Sequence, residues 1–441
     1  MSASVYDSAI LRGLYPTGEV GRLFSDSNQV RSMLLVEGAL ARAQGALGVI
    51  PEDSAAYIHR AAMEVQIDPG ALTQATASNG VSVPALVQAF RAEMNAPEHA
   101  QYVHWGATSQ DILDTGQMLR LRQALNLIEA DLEPCLTACA ELAESHADLP
   151  MAARTYGQHA TPTTFGAVAA QWGQPLLGLL DELDGLRRDC LLVSLSGAAG
   201  TASALGPQAA ETRAAMAEAL KLNDPGRSWH TDRTPVLKLA DWFARVTAAL
   251  AKPGEDLTEL VQTGIGEARL GGAGASSTMP QKQNPVAPSA LVAIWRMQTG
   301  LMQVLQGAAV HRHQRDGAAW FTEWMCLPQI VLGAASAAQI AKGMLDGLTP
   351  NADAMAGAIA GGLDLIHAEA VSFALAKVMP RPEAQAETKR LCQEVQESGV
   401  PLLELLSQKW PDVAAQANLS EAGTGQASAD ARRFAEAVKA R

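Results

Sequence analysis

Aromatic residues are scarce in this chain: they make up 5% of its 441 residues, although 48% are hydrophobic. Ala and Leu carry the apolar content instead of Val, Ile or Thr, which argues against a sheet-dominated core and favours helix. Cysteine is sparse as well. Cys135, Cys139, Cys190, Cys326 and Cys392 are odd in number and scattered, which does not suit a disulfide framework. Cys135 and Cys139 share a helical face, but their apolar surroundings read as packing, not metal binding. No uninterrupted apolar run reaches the ~18 residues of a membrane span, and the opening Met1-Ser2-Ala3-Ser4 lacks the basic and apolar regions of a leader. A cytoplasmic protein with no membrane partner is expected. Positive charge is in deficit, and a formal net charge of −13 argues against broad nucleic-acid binding. No Gly-x-x-x-x-Gly-Lys-Ser/Thr spacing marks a nucleotide phosphate loop. His311 and His313, two residues apart, would point to different faces of a helix and do not make a metal pair. Neither a metal nor a cofactor is expected.

What the chain does have is helical periodicity. From Asp111 to about Ala147, the apolar residues Leu121, Leu125, Ile128, Leu132, Cys139 and Leu142 recur at helical spacing, with Pro134 a candidate kink. Further helices are predicted from Pro162 to about Leu195, Thr234 to Gly264 with a possible break at Pro253, Pro285 to about His313, and Glu323 to Leu345. Five long helices with short connections read as a central bundle. The predicted class is therefore all-α in three helical domains: residues 1–110, a long-helix domain over 111–350, and 351–441. Such a bundle has more apolar surface than five helices cover, so packing between chains is expected.

Chemistry concentrates in three segments. The first, His104-Trp105-Gly106-Ala107-Thr108-Ser109-Gln110-Asp111, precedes the first long helix. Thr108, Ser109 and Asp111 are capping residues, and a helix start also offers free N–H groups to an anion. Capping explains neither His104 nor the turn at Gly106. The second segment, Arg154-Thr155-Tyr156-Gly157-Gln158-His159-Ala160-Thr161-Pro162-Thr163-Thr164-Phe165-Gly166, contains a guanidinium fork suited to carboxylate and neutral donors around it. The third runs from Gly271 through Ser276-Ser277-Thr278-Met279-Pro280-Gln281-Lys282-Gln283-Asn284-Pro285, with Arg315 downstream in His311-Arg312-His313-Gln314-Arg315-Asp316-Gly317. Glycines free the backbone where the paired hydroxyls sit, as in a loop that closes over an anion.

The patterns His-x-Gly-x-Thr-Ser-x-Asp, Arg-Thr-x-Gly-x-His-Ala-x-Pro-Thr-Thr-Phe-Gly and Ser-Ser-x-Met-Pro-x-Lys-x-Asn-Pro occur in this order. In motif and order the chain resembles the fumarase/aspartase superfamily over essentially its whole length. The resemblance implies a homotetramer with a core of twenty helices, whose active sites each combine the three segments from three subunits. It implies that Ser276 exchanges a carbon-bound proton, while Lys282 and Asn284 hold the carboxylate on which negative charge accumulates. His104, Thr108, Ser109, Arg154, Tyr156, Gln158, His159, Ser277 and Arg315 become candidates to hold a small polycarboxylate substrate.

One departure from the superfamily pattern is informative. Tyr156 stands where the superfamily's amine lyases have the His that protonates the leaving amine. A phenol with a pKa of about 10 is a poor acid near neutrality. Cycloisomerases of the superfamily add a tethered carboxylate to a double bond. In reverse their leaving group is a carboxylate, which departs as the anion without an acid, and tethering supplies effective concentration. A carboxylated muconate is thus the expected substrate class. Phe24-Ser25-Asp26, Val36-Glu37-Gly38-Ala39-Leu40-Ala41-Arg42-Ala43-Gln44 and Arg315-Asp316-Gly317-Ala318-Ala319-Trp320 also resemble the bacterial cycloisomerases. Three alternatives are an amine lyase in which His104 or His159 serves as the acid, a cycloisomerase of a sulfonated muconate, and a structural descendant without activity.

Overall fold

The computed structural model of the chain describes residues 4–272, 274–275, 278–279, 281–416 and 423–441. It is 67% helical, as Ala- and Leu-rich periodic segments require. The described strands form three short antiparallel pairs, so the class is all-α.

The helices that answer to the five predicted for the bundle are Ser109–Ser145, Phe165–Asp181, Thr234–Leu260, Val286–Gly307 and Gly317–Asp346. Pro134 and Pro253 both lie inside helices, so Pro253 does not break the chain as its sequence position suggested. The helix expected from Pro162 needs a larger correction. Residues Pro150–Thr155 and Gln158–Thr164 form a β-hairpin, and helix begins only at Phe165. Thr161-Pro162 looks like a helix start because Pro suits the first helical turn. It equally suits a two-stranded ribbon, where one side of each strand needs no ladder N–H, and here Pro162 pairs with Ala152. The same helix ends at Asp181, and a shorter one, Leu183–Cys190, follows.

The residues divide into two compact units. The first comprises Met1–Asp131, Leu179–Ala248 and Ala293–Ile340, and the second Leu132–Gly178, Ala249–Val292 and Ala341–Arg441. In the first unit, helix Asp26–Ala46 starts at Ser25, whose Oγ accepts the Asn28 N–H at 3.3 Å. This helix packs tightly on Glu52–Glu64: a Cβ added at Gly38 would stand 2.8 Å from the Ala62 Cβ, and one at Gly45 would stand 2.2 Å from the Ala55 Cβ. Its buried face is apolar except for Ser32, Glu37 and Gln44. Trp229 and Trp242 fill the core further along, donating from Nε1 to the Val193 and Leu179 carbonyls at 2.8 and 2.9 Å.

In the second unit, Gly166 lets helix Phe165–Asp181 approach helix Ser109–Ser145 closely, since a Cβ there would lie 2.5 Å from the Ala143 carbonyl oxygen. Cys139 is buried in this contact, and burial pushes its thiol up to about 12, the behaviour of an inert packing residue. A second cluster, including Val371, Leu375, Leu391, Leu402 and Leu406, closes the C-terminal helices. Helix Gly317–Asp346 is long and apolar enough to cross a membrane, with a mean hydropathy of 1.3 over an 18-residue window. Of that window 61% is buried within the protein, as in a core helix.

Candidate active site

In the first unit the chain turns sharply before helix Ser109–Ser145. His104 and Gly106 both have positive φ, 64° and 73°. Gly106 is needed there twice over, because a Cβ would also meet Leu205 Cδ2 at 2.7 Å. The turn is tied down by Gln44 Nε2, which donates to the Trp105 carbonyl at 2.8 Å. His104 Nδ1 lies 2.7 Å from Glu37 Oε1. Burial depresses the imidazole pKa, but the Glu37 charge and hydrogen bond, with Asp111 beyond, outweigh it and the opposing Arg91. The net shift is upward.

Asp111 is fully buried and accepts five donors: the Thr108, Ser196 and Gly197 N–H groups at 3.0, 2.9 and 2.9 Å, Ser194 Oγ at 3.1 Å and His230 Nε2 at 2.8 Å. The capping role expected of it is therefore real, and it also fastens segment 194–197 to the helix start. Arg315 reaches the same place from another part of the chain. Its Nε donates to Gln110 Oε1 at 2.8 Å, and Nη2 lies 3.4 Å from both Thr108 Oγ1 and the Ala198 carbonyl. Gln110 is held in turn by donating to Asp114 Oδ2 at 3.1 Å and to the His230 carbonyl at 2.9 Å. Asp114 and Glu323 share Arg233, whose Nη1 donates to Asp114 at 2.8 Å and whose Nη2 donates to Glu323 at 2.7 Å. Burial would lower the Arg233 pKa, but the two carboxylates raise it, so the guanidinium stays charged. Burial, with Asp114 beside it, lifts Glu323 above the usual carboxylate range. The fold thus brings Thr108 and Arg315 together, four residues beyond His104 along the chain, and braces Arg315 through Gln110 on a buried charge network.

The second unit carries the other two segments. Thr155 pairs with Gln158 across the hairpin turn. Tyr156 and Gly157 at its tip have φ of 53° and 71°, and Tyr156 is wholly exposed at 104%. Gln158 and His159 are exposed on the same tip. Arg154, one residue earlier, makes a bidentate pair with the buried Glu267, Nη1 to Oε2 at 2.7 Å and Nη2 to Oε1 at 2.8 Å. The Glu267 hydrogen bond raises the Arg154 pKa further. Both guanidinium ends are therefore engaged by a carboxylate of the protein itself.

Glu267 stands at the root of the third segment. Its carbonyl accepts the Asn351 N–H at 2.8 Å, and Ala268–Leu270 then pairs antiparallel with Leu348–Pro350. Beyond it Gly274 pairs with Asn284 and Ala275 with Gln283, so the loop is the tip of a small hairpin. Lys282 is exposed near this tip, its N–H donating to the Met279 carbonyl at 3.0 Å. Ser276 and Ser277 lie outside the described residues. Among the described residues no group of His, Cys, Asp and Glu has the arrangement of a metal site.

Sequence reasoning missed Glu37, Gln110, Arg233 and Glu267 as parts of these sites. For Glu37 a signal existed, since a carboxylate inside an Ala- and Leu-rich helical face has to find a partner or pay desolvation.

The family described as Lyase matches residues 16–298. The chain is 39% identical over 396 residues to a 3-carboxy-cis,cis-muconate cycloisomerase of Pseudomonas aeruginosa, covering 88% of this chain and 85% of that protein. It is 37% identical over 427 residues to a nitrosuccinate lyase of Streptomyces davaonensis, covering 92% and 88%. Among solved structures, the 3-carboxy-cis,cis-muconate lactonizing enzyme of Pseudomonas putida superposes with a TM-score of 0.89 at 34% identity, over 98% of this chain and 99% of that one.

Proposed function

Because the chain belongs to the lyase family of the fumarase/aspartase superfamily, we propose that its sites serve one reaction of that superfamily, the conversion of 3-carboxy-cis,cis-muconate to 4-carboxymuconolactone in the protocatechuate branch of aromatic catabolism. The protein is a cycloisomerase, an intramolecular lyase. One substrate carboxylate oxygen forms a C–O bond to a double-bond carbon. The displaced electron pair moves to the neighbouring carbon and into its carboxylate, and that carbon then takes a proton. Ser276 delivers this proton. Lys282 and Asn284 stabilise the carbanionic carboxylate, since fixed donors aimed at developing charge give the largest catalytic effect. His104, Thr108, Ser109, Ser277 and Arg315 orient the remaining carboxylates. Tyr156, Gln158 and His159 approach from the hairpin tip, and Arg154 anchors that hairpin beside the loop root while keeping its Nε edge for substrate.

The observation that carries this reading is Tyr156, at the tip of its hairpin and in the motif position where an amine lyase has its acid. A carboxylate leaving group needs none. Ser276→Ala tests the assignment: turnover should fall by about a hundredfold or more, the range for loss of a positioned proton donor, and near wild-type turnover would overturn it. Nitrosuccinate, named in the Streptomyces relative, is the comparison substrate, and the reading requires carboxymuconate to be turned over faster.

The enzyme works as a homotetramer in the cytoplasm, without metal or cofactor, its sites shared between subunits. The apolar residues Met297, Val304, Phe321 and Met325, all exposed on two of the long helices, support burial against other copies. Along the sequence the chain is divided into three helical domains, residues 1–110, 111–350 and 351–441.

A further inference from the structure

The proposed mechanism leaves one buried carboxylate without a task. Glu37 is 1% exposed on the inner face of helix Asp26–Ala46 and has no chemistry of its own to perform. Its Oε1 lies 2.7 Å from His104 Nδ1, while Oε2 has no hydrogen-bond partner. A carboxylate buried with half its acceptors unused is costly, and the fold adds a second cost at the other end of the contact, since His104 takes a left-handed backbone conformation. The turn that holds it there is fixed from the same helix by Gln44, seven residues beyond Glu37 and so on the same face. Two polar residues on one helical face therefore exist to fix one imidazole.

Fixing Nδ1 against a carboxylate determines what the other nitrogen does. With a proton held at Nδ1, a protonated ring presents Nε2–H outward as a charge-assisted donor. The side chain is partly exposed, and four residues further on lie Thr108 and the N-terminus of helix Ser109–Ser145, beside Arg315. The charged groups around the ring are Glu37 on helix Asp26–Ala46, Asp111 on helix Ser109–Ser145 and Arg91 on helix Val83–Glu93, which donates to the Val103 carbonyl at 2.8 Å. Two of these three favour the imidazolium.

We propose that Glu37 is a positioning residue that keeps His104 as an imidazolium whose Nε2–H receives one carboxylate of the substrate. The inference rests on the cycloisomerase reading, and it names a residue outside the three motifs together with a charge state. The raised pKa of the imidazole agrees with the geometry. Loss of that charge at high pH should weaken substrate binding more than it slows chemistry, so the Michaelis constant should rise with pH while kcat changes little.

The test compares wild type with Glu37→Gln, which preserves shape, in two measurements on the whole protein. The first follows the His104 ring by NMR in protein carrying 13C-labelled histidine, assigned by its loss in His104→Gln. The second is the pH profile of kcat/KM with 3-carboxy-cis,cis-muconate. In Glu37→Gln the His104 titration should move to lower pH, and the alkaline fall of kcat/KM should move with it, a shift of one pH unit giving about a tenfold loss of kcat/KM above both values. An unmoved His104 titration, or a moved titration with an unmoved profile, overturns the proposal. If the variant does not fold, the profile of His104→Gln decides: loss of the alkaline limb supports the proposal, and a wild-type limb contradicts it. Absence of turnover in the wild-type protein contradicts the cycloisomerase reading instead, and the NMR titration still reports on Glu37.

Discussion

Residues that matter here act mostly through a partner far away in sequence. Arg233 illustrates the energetics: it is buried between Asp114 and Glu323, and Arg233→Met would leave two carboxylates without a cation. Such broken buried pairs cost about 3–5 kcal/mol, so the unfolding free energy obtained from chemical denaturation should fall by about that much, with a lower midpoint. Protonation should partly relieve the loss, making the variant's deficit smaller at pH 5 than at pH 8. The His104–Glu37 pair has the opposite sign. The folded imidazole pKa is raised, so its stabilisation is complete below the unfolded value of about 6.5 and disappears as pH rises through the folded value. The difference in melting temperature between wild type and Glu37→Gln should accordingly be larger at pH 6 than at pH 9, and an equal difference at both would count against the ion pair. Asp111 and Thr108 were legible in the sequence because capping is local, within three residues of the helix start. Glu37 with His104, and Arg154 with Glu267, were not, because their partners lie 67 and 113 residues away and a lone acid in a helix says nothing about which cation it meets.

Elements were legible where one period ruled. The long helices announce themselves through apolar residues at 3.6 spacing, and Ser109–Ser145 agrees closely with its predicted span. The hairpin Pro150–Thr155 and Gln158–Thr164 was hidden by Thr161-Pro162, whose local chemistry fits a helix start as well as a ribbon. Its turn now makes a prediction of its own. Two consecutive positive φ values are those of a type I′ turn, where Asn is preferred and Tyr is strained. Tyr156→Asn should therefore raise stability by about 1 kcal/mol while lowering kcat/KM, since the proposed function sets this exposed, strained ring against the substrate. A variant that is both more stable and fully active would remove Tyr156 from the site. The loop from Gly271 to Pro285 was recognisable by composition, and its pairing of Gly274 with Asn284 adds that the two ends are held together while Lys282 stays near the tip.

For the whole molecule, the all-α class followed from composition, whereas the two compact units did not, because each is assembled from three separate stretches of chain. Contact between stretches distant in sequence leaves no mark in periodicity. The apolar positions left exposed on the long helices, Met325 at 70% and Met297 at 54%, are better evidence for assembly than overall hydrophobicity. Sedimentation should give a particle of four chains, and a monomer would contradict the shared-site account. The reaction itself can be followed by the loss of the substrate's conjugated diene. Purified protein is mixed with 3-carboxy-cis,cis-muconate in the presence of a chelator, and the absorbance of the conjugated diene is followed. The account predicts rapid loss of the diene, at a rate the chelator does not change. An unchanged diene, with fumarate released from argininosuccinate or adenylosuccinate instead, would contradict it and require a proton donor for a leaving amine that Tyr156 does not provide.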